Sequence, residues 1–321
     1  MNTVKLPSSV TKFVRIASIV PIASFVLLGV SAGGCADNQQ GVNTGLADND
    51  TATTALTDTA TGDLDAAGAV DVGPVDAGPT QPAKDPQGLV YTHDPVTDKG
   101  QTTQVTLTKP ITNDGTLKSN WVEIRNCLND DGGPSIVYNG FPAGTFCLEK
   151  RIATPGADGH YTHHAPPKDP SDPNDPFAEV QMYHHVNRMH DYFKDTHGLT
   201  DVDFPLHAVI NVQVKLSALA AAATGQKPGW SGMANAAFMP PEAFKQLPLP
   251  PRDTGAIVFF QWKDTDFSYD TSVIYHEYTH AMIGTTRLSG TRLGLFGLDA
   301  WPGAMNEGFA DYFAASMNDF P

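Results

Sequence analysis

Apolar and polar residues alternate in short segments along the stretch from about residue 87 to about residue 165. Residues 105–108 and 121–124 are two of these segments, and Gly, Asn, Asp and Pro separate them from their neighbours. A period of two is typical of β-strands, and these four residue types are typical of turns. We therefore predict antiparallel β structure over about residues 87–165.

The pattern changes after residues 166–176, a segment with five prolines that predicts a surface connector. From Phe177 to Phe193 the apolar residues recur near the helical period, which predicts a helix. Residues 208–216 and 255–262 are rich in β-branched or aromatic side chains, which predicts two strands of one sheet. Together with the β-rich first part, this order predicts an α+β fold.

A second helix is predicted over residues 272–283, which contain no proline or glycine, and Asp270, Thr271 and Ser272 are all candidate N-caps. On this helix His276 and His280 lie four residues apart and share one face, where two imidazoles can bind one metal ion. Glu277 lies at the edge of that face and can accept a proton from a metal-bound water. The alternative is a buried helix that carries two histidines by coincidence.

A further ligand is predicted on a third helix, which Pro302 can open and which runs to Met317. Catalytic zinc sites use three protein ligands and keep a fourth position for water. Glu307 and Asp311 lie four residues apart, so one carboxylate can bind the metal while the other accepts a hydrogen bond from a ligand histidine. The alternative is an acidic helix face that contacts only solvent.

Three other histidines, His184, His185 and His190, lie on the helix predicted after Phe177. Two ligands on one helical face need a spacing of three or four residues, and no pair among these three has that spacing. We therefore expect structural roles for these histidines rather than metal binding.

The two later helices carry a family resemblance. Residues 276–280, His-Glu-Tyr-Thr-His, and residues 306–311, Asn-Glu-Gly-Phe-Ala-Asp, together resemble the signature of the gluzincin zinc metallopeptidases of the thermolysin-like and fungalysin-like kind. The resemblance implies a zincin-like catalytic subdomain with a mixed β-sheet and an active-site helix. It also implies one catalytic zinc ion.

The resemblance assigns roles to individual residues. It implies that His276, His280 and Glu307 bind zinc, that Glu277 is the general base, and that Asp311 is the carboxylate behind the first histidine. The implied function is that of a zinc metalloendopeptidase, which hydrolyses peptide bonds of peptide or protein substrates with a metal-activated water. Calcium is compatible with such a protein, but nothing in the sequence indicates a calcium site.

Asn235 and Ala236 resemble the Asn-Ala pair on the sheet-edge segment of this family, which holds the substrate backbone; the alternative is a simple turn. In the family, a mostly helical second subdomain follows the glutamate helix and supplies a histidine that stabilises the oxyanion. The sequence ends at Pro321, so we expect this subdomain to be missing. The alternative function is therefore a truncated, catalytically weak or inactive zinc-binding surface protein derived from a peptidase.

Residues 1–35 have the pattern of an export signal, in which basic residues precede an uncharged apolar run over residues 16–30. The run is shorter than the roughly 20 residues that a membrane-spanning helix needs. Cys35 follows small residues as in the lipobox of bacterial lipoproteins, although Ala32 stands where leucine is usual. We expect lipidation of Cys35 and a location on the bacterial cell surface or outer membrane, and the alternative is ordinary secretion.

The chain of 321 residues has a formal net charge of -15, and eight aspartates lie between residues 36 and 83 without any lysine, arginine or aromatic residue. Such a segment cannot bury enough apolar surface to offset its ordering entropy, so we predict a disordered linker over residues 36–86. A calcium-binding aspartate array is the alternative, but no loop spacing recurs. We do not expect nucleic acid as a partner, because the chain lacks the clusters of lysine and arginine that phosphate binding requires.

The number of cysteines is consistent with export. Apart from Cys35, the chain has two cysteines, Cys127 and Cys147, which could pair in an oxidising compartment. We predict a disulfide between them, which stabilises the fold by roughly 3 kcal/mol in the chain-entropy model.

The membrane is a partner only through the lipid anchor, and the sequence does not indicate an oligomeric state. The predicted organisation is a signal peptide at 1–35, a linker at 36–86, a β-rich segment at 87–175 and a zincin-like peptidase subdomain at 176–321.

Overall fold

The computed structural model of the chain describes residues 82–108, 114–138, 140–244, 252–285 and 300–318. Along these residues the strands are β1 (Gln87–Val90), β2 (Thr103–Thr106), β3 (Val122–Leu128), β4 (Ser135–Tyr138), β5 (Phe141–Phe146), β6 (Leu148–Lys150), β7 (Leu206–Val212), β8 (Val214–Leu216), β9 (Gly229–Ser231), β10 (Ala236–Met239), β11 (Ala256–Trp262) and β12 (Thr265–Asp266). The helices are α1 (Pro176–Asp191), α2 (Ala218–Thr224), α3 (Pro241–Phe244), α4 (Thr271–Thr285) and α5 (Ala300–Met317). The fold is α+β, as the sequence predicts.

The main sheet is mixed and has the strand order β10-β11-β7-β3-β6, with β12 paired to β11. Strands β3 and β11 both run parallel to β7, whereas β6 and β10 are antiparallel edge strands. Strands β7 and β11, from the segments predicted at 208–216 and 255–262, therefore do share one sheet. The prediction of one strand over 208–216 is wrong at its end, because residues 214–216 form β8 and belong to the four-stranded sheet. The strand pairs formed within 87–165, which are β1–β2, β3–β6 and β4–β5, are antiparallel as predicted. Strand β3 also pairs in parallel with β7, and α1 forms part of the long crossover connection that such a parallel pair requires.

Two smaller sheets and a disulfide complete the β structure. Strands β4, β5, β8 and β9 form an antiparallel sheet in that order, and β1 pairs with β2. Cys127 in β3 and Cys147 just before β6 form a disulfide with Cα atoms 5.2 Å apart, and both residues are fully buried. The predicted disulfide is therefore present, and it closes the loop that carries the β4–β5 hairpin.

Helices α1 and α4 pack against one face of the main sheet, which we call the first face. Its core contains Ile124, Ile210 and Ile257 from the strands, Met182 from α1 and Tyr278 from α4, all with no exposed surface. The opposite face, which we call the second face, has a separate apolar cluster around the disulfide. The first face therefore holds α4, the helix with the predicted metal ligands, on a rigid support.

Some predictions lie outside the described residues. These are the signal peptide at 1–35 with the lipidation site Cys35, and the linker at 36–86 apart from its last five residues. None of the described helices is both long and apolar enough to cross a lipid bilayer. The predicted boundary between residues 175 and 176 stays a prediction, although strands from both sides of it join the main sheet.

Candidate metal centre

Helix α4 presents the two histidines of the His-Glu-x-x-His motif. Asp270 caps the helix, because its Oδ1 accepts hydrogen bonds from the backbone nitrogen and the hydroxyl of Ser272, at 2.8 and 2.6 Å. His276 and His280 are both buried, with 2% and 7% of their surface exposed. Their Nε2 atoms lie 2.9 Å apart, so the spacing of four residues does place both imidazoles at one point.

Helix α5 brings a carboxylate to the same point. The Glu307 Oε2 atom lies 3.2 Å from His276 Nε2 and 3.4 Å from His280 Nε2. In a tetrahedral zinc site with bonds of 2.0–2.1 Å, neighbouring ligand atoms are about 3.3 Å apart. The three distances fit this geometry. Within the described part of the chain, these three residues are the group of metal-binding side chains that the fold brings together.

The hydrogen bonds behind the histidines define which ring nitrogen can bind a metal. His276 Nδ1 lies 2.9 Å from Asp311 Oδ1, and His280 Nδ1 lies 3.0 Å from Asn306 Oδ1. Because both oxygens are acceptors, each Nδ1 carries the hydrogen and each neutral ring presents an Nε2 lone pair. Two lone pairs and a carboxylate oxygen within 3.4 Å of one another repel each other unless a positive charge lies between them, and this donor set fits a zinc ion.

The electrostatics agree with cation binding. Burial alone would raise the pKa of Glu307, but the neighbouring His276 and His280 lower that pKa to about 2, so the carboxylate is ionised at neutral pH. Burial would lower the pKa of His280, yet the carboxylates of Glu307 and Glu277 offset this effect and raise it. The site therefore favours positive charge even though it is buried.

Glu277 lies beside the three ligand residues and is almost fully buried. Its Oε2 accepts a hydrogen bond of 2.7 Å from the backbone nitrogen of Phe238 in β10, and its buried Oε1 has no hydrogen-bond partner among the described residues. Burial raises the pKa of this carboxyl group, and the two histidines act against that shift. One carboxylate oxygen is thus anchored and the other is available for a proton.

Strand β10 lies between this carboxylate and the rest of the sheet. Asn235 and Ala236 stand at its start, and the carbonyl oxygen of Asn235 accepts a hydrogen bond from the backbone nitrogen of Phe260 in β11. Because β10 is the last strand of the main sheet, its other edge carries backbone groups that β11 does not use. Ala236 therefore stands on an edge strand next to Glu277, whereas Asn235 holds that strand to its neighbour.

The histidines of α1 lie in other surroundings. His185 is buried, with Nε2 at 2.9 Å from the Tyr91 carbonyl oxygen and Nδ1 at 2.7 Å from the Tyr275 hydroxyl. His190 stacks on Trp121 and lies 2.7 Å from Asp203 Oδ1. Both rings have structural partners, in agreement with the absence of ligand spacing in the sequence.

Sequence reasoning missed two contacts of the site. The motif contains Asn306 but indicates no role for its side chain. The sequence also does not indicate the contact of the Phe238 backbone nitrogen. Each contact joins α4 to another element, either α5 or β10, so no spacing within one helix could indicate it. The only sequence signal was the position of Asn306 next to Glu307.

Comparison with known proteins agrees with the geometry. No curated protein matches the chain significantly. The family model of the fungalysin metallopeptidases (M36) matches residues 118–320, which is more than half of the chain and includes the three candidate ligand residues. This protein belongs to the fungalysin metallopeptidase family.

Proposed function

We propose that this protein is a zinc-dependent metalloendopeptidase that hydrolyses internal bonds of peptide or protein substrates. The observation that carries the proposal is the convergence of His276, His280 and Glu307 within 3.4 Å, next to a buried carboxylate with one unpaired oxygen. His276, His280 and Glu307 would hold the metal. A zinc ion so bound supplies a Lewis acid and lowers the pKa of a bound water to about 7.

Two groups beside the candidate ligands would have separate roles in proton transfer. Glu277 Oε1 accepts the proton of the attacking water, while the Phe238 N–H holds Oε2 and so fixes the direction of the carboxylate. Glu277 then donates this proton to the nitrogen of the leaving amine. The raised pKa suits this exchange, because a general base is most effective when its pKa lies near the working pH.

Two further contacts would position the reacting groups. Asp311 and Asn306 hold the rings of His276 and His280, so that both Nε2 lone pairs point to the metal. The free edge of β10 at Ala236 would bind the substrate backbone as an added antiparallel strand, with Asn235 tying β10 to β11. Such positioning places the scissile bond next to Glu277.

The test of the mechanism is the variant Glu277→Gln, which keeps the side-chain size and an oxygen that can accept from Phe238. We expect kcat for a fluorogenic peptide to fall by about 10² to 10⁴-fold, because the general base is lost. The zinc content, measured by mass spectrometry of the purified protein, should stay near that of the unchanged protein, because Glu277 is not a ligand.

Two outcomes would contradict parts of the proposal. Full chelator-sensitive activity in Glu277→Gln would contradict the role of Glu277. One zinc ion per chain without hydrolysis of any member of a peptide library would instead favour the alternative, a zinc-binding surface protein that does not cleave.

We also propose that the protein is exported and anchored to the bacterial surface by lipidation of Cys35. A lipid chain holds a protein at a bilayer without a spanning helix. The variant Cys35→Ala should move the protein from the membrane fraction to the soluble exported fraction, whereas the control Ser31→Ala should not. A Cys35→Ala protein that stays in the membrane fraction would show that the anchor is elsewhere.

A further inference from the structure

One end of the second face of the main sheet is polar, although the rest of that face is an apolar cluster. Glu123 and Arg125 project there from β3, and His207 of β7 is the direct cross-strand partner of Glu123. Glu149 of β6 reaches the same face as the partner of Cys127. The opposite, first face carries α4, so this polar region is separated from the metal centre by the sheet itself.

Ion pairs hold three arginines in this region. The Glu123 carboxylate binds Arg125, Arg151 at 2.5 Å and Lys118 at 2.7 Å. Arg252 binds the carboxylate of Glu149. We call Arg125, Arg151, Arg252 and His207 the arginine cluster. Its guanidinium groups are fixed by the two glutamates, so they are already ordered before any ligand arrives.

The arginine cluster and Lys118 carry more positive charge than their partners can neutralise. Four cationic side chains face two carboxylates, which leaves a local charge of +2 in a chain whose net charge is -15. The region is partly sheltered, since the side chains of Arg252 and Glu123 are 5% and 7% exposed, whereas those of Arg151, Arg125 and Lys118 are 24%, 30% and 38% exposed. Charge excess in a partly buried site attracts an anion more strongly than the same charges do in water.

Hydrogen-bond donors in the cluster have no partner. The Nε atoms of Arg125, Arg151 and Arg252 are buried and make no hydrogen bond within the described residues. The Nδ1 atom of His207 is also unpaired there, and this neutral ring can donate or accept according to its tautomer. Each guanidinium has five N–H donors, and each of these three uses one terminal nitrogen for an ion pair. A buried unpaired donor is costly, and a bound oxyanion would satisfy several donors at once.

We propose that the arginine cluster is a binding site for a small oxyanion of the phosphate or carboxylate type. Arginine suits this role because its planar fork donates two parallel hydrogen bonds to such groups. Glu123 and Glu149 keep the guanidinium groups in place. His207 lies near both glutamates and near Arg252 and Arg125, because the charges of all four act on its ring. The site does not depend on the metal centre or on peptidase activity.

The experiment measures binding of inorganic phosphate and of succinate to the full chain by calorimetry, with sodium chloride at equal ionic strength as the reference. We expect saturable binding of one of these ions with one site per chain, and the two ions separate a phosphate preference from a carboxylate preference. In parallel, the ring-proton resonance of His207 in NMR spectra should shift with the same apparent Kd. A merely structural ion-pair cluster would show neither effect.

Variants locate the site. Arg125→Gln combined with Arg151→Gln should weaken binding by about tenfold or more, because two guanidinium forks are lost. The control Lys215→Gln removes a charge that pairs with Asp131 on the four-stranded sheet, and its affinity should stay within about twofold of the unchanged protein. Circular dichroism checks the fold of each variant.

If the double variant does not fold, Arg151→Lys tests the same point, because lysine keeps the charge but loses the planar fork. That variant should also bind more weakly. Absence of saturable binding of both ions at about 10 mM, or an unchanged affinity in the arginine variants, would overturn the proposal.

Discussion

At the scale of single residues, the candidate metal centre depends on two hydrogen bonds. They are made by the Nδ1 atoms of His276 and His280, whose Nε2 atoms would bind the metal. The Nδ1 atoms of His276 and His280 face Asp311 and Asn306 of α5. These contacts select the tautomer in which Nε2 carries a lone pair, and they restrict rotation of each ring. Helix α5 therefore contributes to the centre through three side chains, of which only Glu307 would touch the metal.

The first prediction concerns Asp311. The variant Asp311→Ala should weaken zinc binding by about 10 to 100-fold, because His276 loses the carboxylate that orients its ring. Competition with a chromogenic chelator measures this affinity in the absence of any substrate. The variant Ser316→Ala is a matched control on the same helix, since the Ser316 hydroxyl donates to the Tyr312 carbonyl oxygen within α5. Equal zinc affinities in the two variants would contradict the role of Asp311.

The sequence predicts which side chains lie together at the candidate site better than it predicts the hydrogen bonds that hold them. The spacing of four residues between His276 and His280 is a property of one helix, so it translates directly into two neighbouring imidazoles. The place of Glu307 beside them came from the family resemblance, because a contact between two helices has no fixed sequence spacing. The Phe238 N–H that holds Glu277 belongs to the backbone of a strand, and no side-chain pattern identifies such a donor.

At the scale of elements, the local patterns predicted helices and strands but not every strand pairing. Helix α4 follows its cap Asp270, and α1 starts after Asp175, whose side chain accepts from the backbone nitrogen of Ala178. The parallel pairing of β3 with β7 was not predicted, because alternation indicates a strand and not its neighbour. The pairing of strands depends on tertiary packing, in which α1 and α4 cover one face of the main sheet, and a local sequence pattern does not contain this information.

A hydrogen-bond chain fastens three helices together near the metal centre. His185 Nε2 must donate to the Tyr91 carbonyl oxygen, so its Nδ1 accepts from the Tyr275 hydroxyl. The Tyr275 oxygen in turn accepts from Arg188, which also contacts the carbonyl oxygen of Met317 at the end of α5. Tyr275 directly precedes His276, so this chain links α1, α4 and α5 next to a metal ligand.

The second prediction follows from this chain. The variant Tyr275→Phe should lower the free energy of unfolding by about 1–3 kcal/mol, because the buried His185 Nδ1 loses its only donor among the described residues. Urea unfolding followed by circular dichroism measures this change. Tyr312→Phe is the control, since Tyr312 is 64% exposed, and it should change stability by less than about 0.5 kcal/mol. Similar stabilities of both variants would show that the chain does not hold the helices together.

At the scale of the whole molecule, three carboxyl groups are buried, and two of them, Asp175 and Glu179, join segments that are distant along the chain. Asp175 accepts from the Tyr269 hydroxyl, Glu179 accepts from the backbone nitrogens of Ile152 and Ala153, and Asp266 accepts from Ser268. Burial raises the pKa of Asp175 to about 7, with a further contribution from Asp266. Burial also raises the pKa of Glu179 to about 7 and that of Asp266 to about 6. These groups therefore resist ionisation in the folded protein.

Linkage converts these shifts into a dependence of stability on pH. Each of the three groups has a higher pKa in the folded chain than in the unfolded chain, so the unfolded state releases its proton first as the pH rises. Their contribution to stability is complete below about pH 4 and is lost as the pH rises through about 6 to 7. Glu123 acts in the opposite sense at low pH. Burial would raise its pKa, but Lys118 and Arg125 lower it to about 2, so its contribution is lost as the pH falls below about 4.

The third prediction compares variants of the protein kept metal-free with a chelator, because buried groups of opposite sense titrate in the same range. Burial raises the pKa of Asp175, so this group costs stability as the pH rises, whereas burial lowers the pKa values of His184, His185 and His207, which act in the opposite sense. Asp175→Asn removes only the first contribution, because asparagine does not titrate and still offers an oxygen to the backbone nitrogen of Ala178. From pH 5 to pH 8 the free energy of unfolding of this variant should rise by about 1–3 kcal/mol relative to that of the unchanged protein, as measured by urea unfolding at constant ionic strength. Asp131→Asn, whose carboxylate is 71% exposed, should show no such relative change. A difference between Asp175→Asn and the unchanged protein that stays constant from pH 5 to pH 8 would mean that Asp175 is ionised in the folded protein, and that water reaches it.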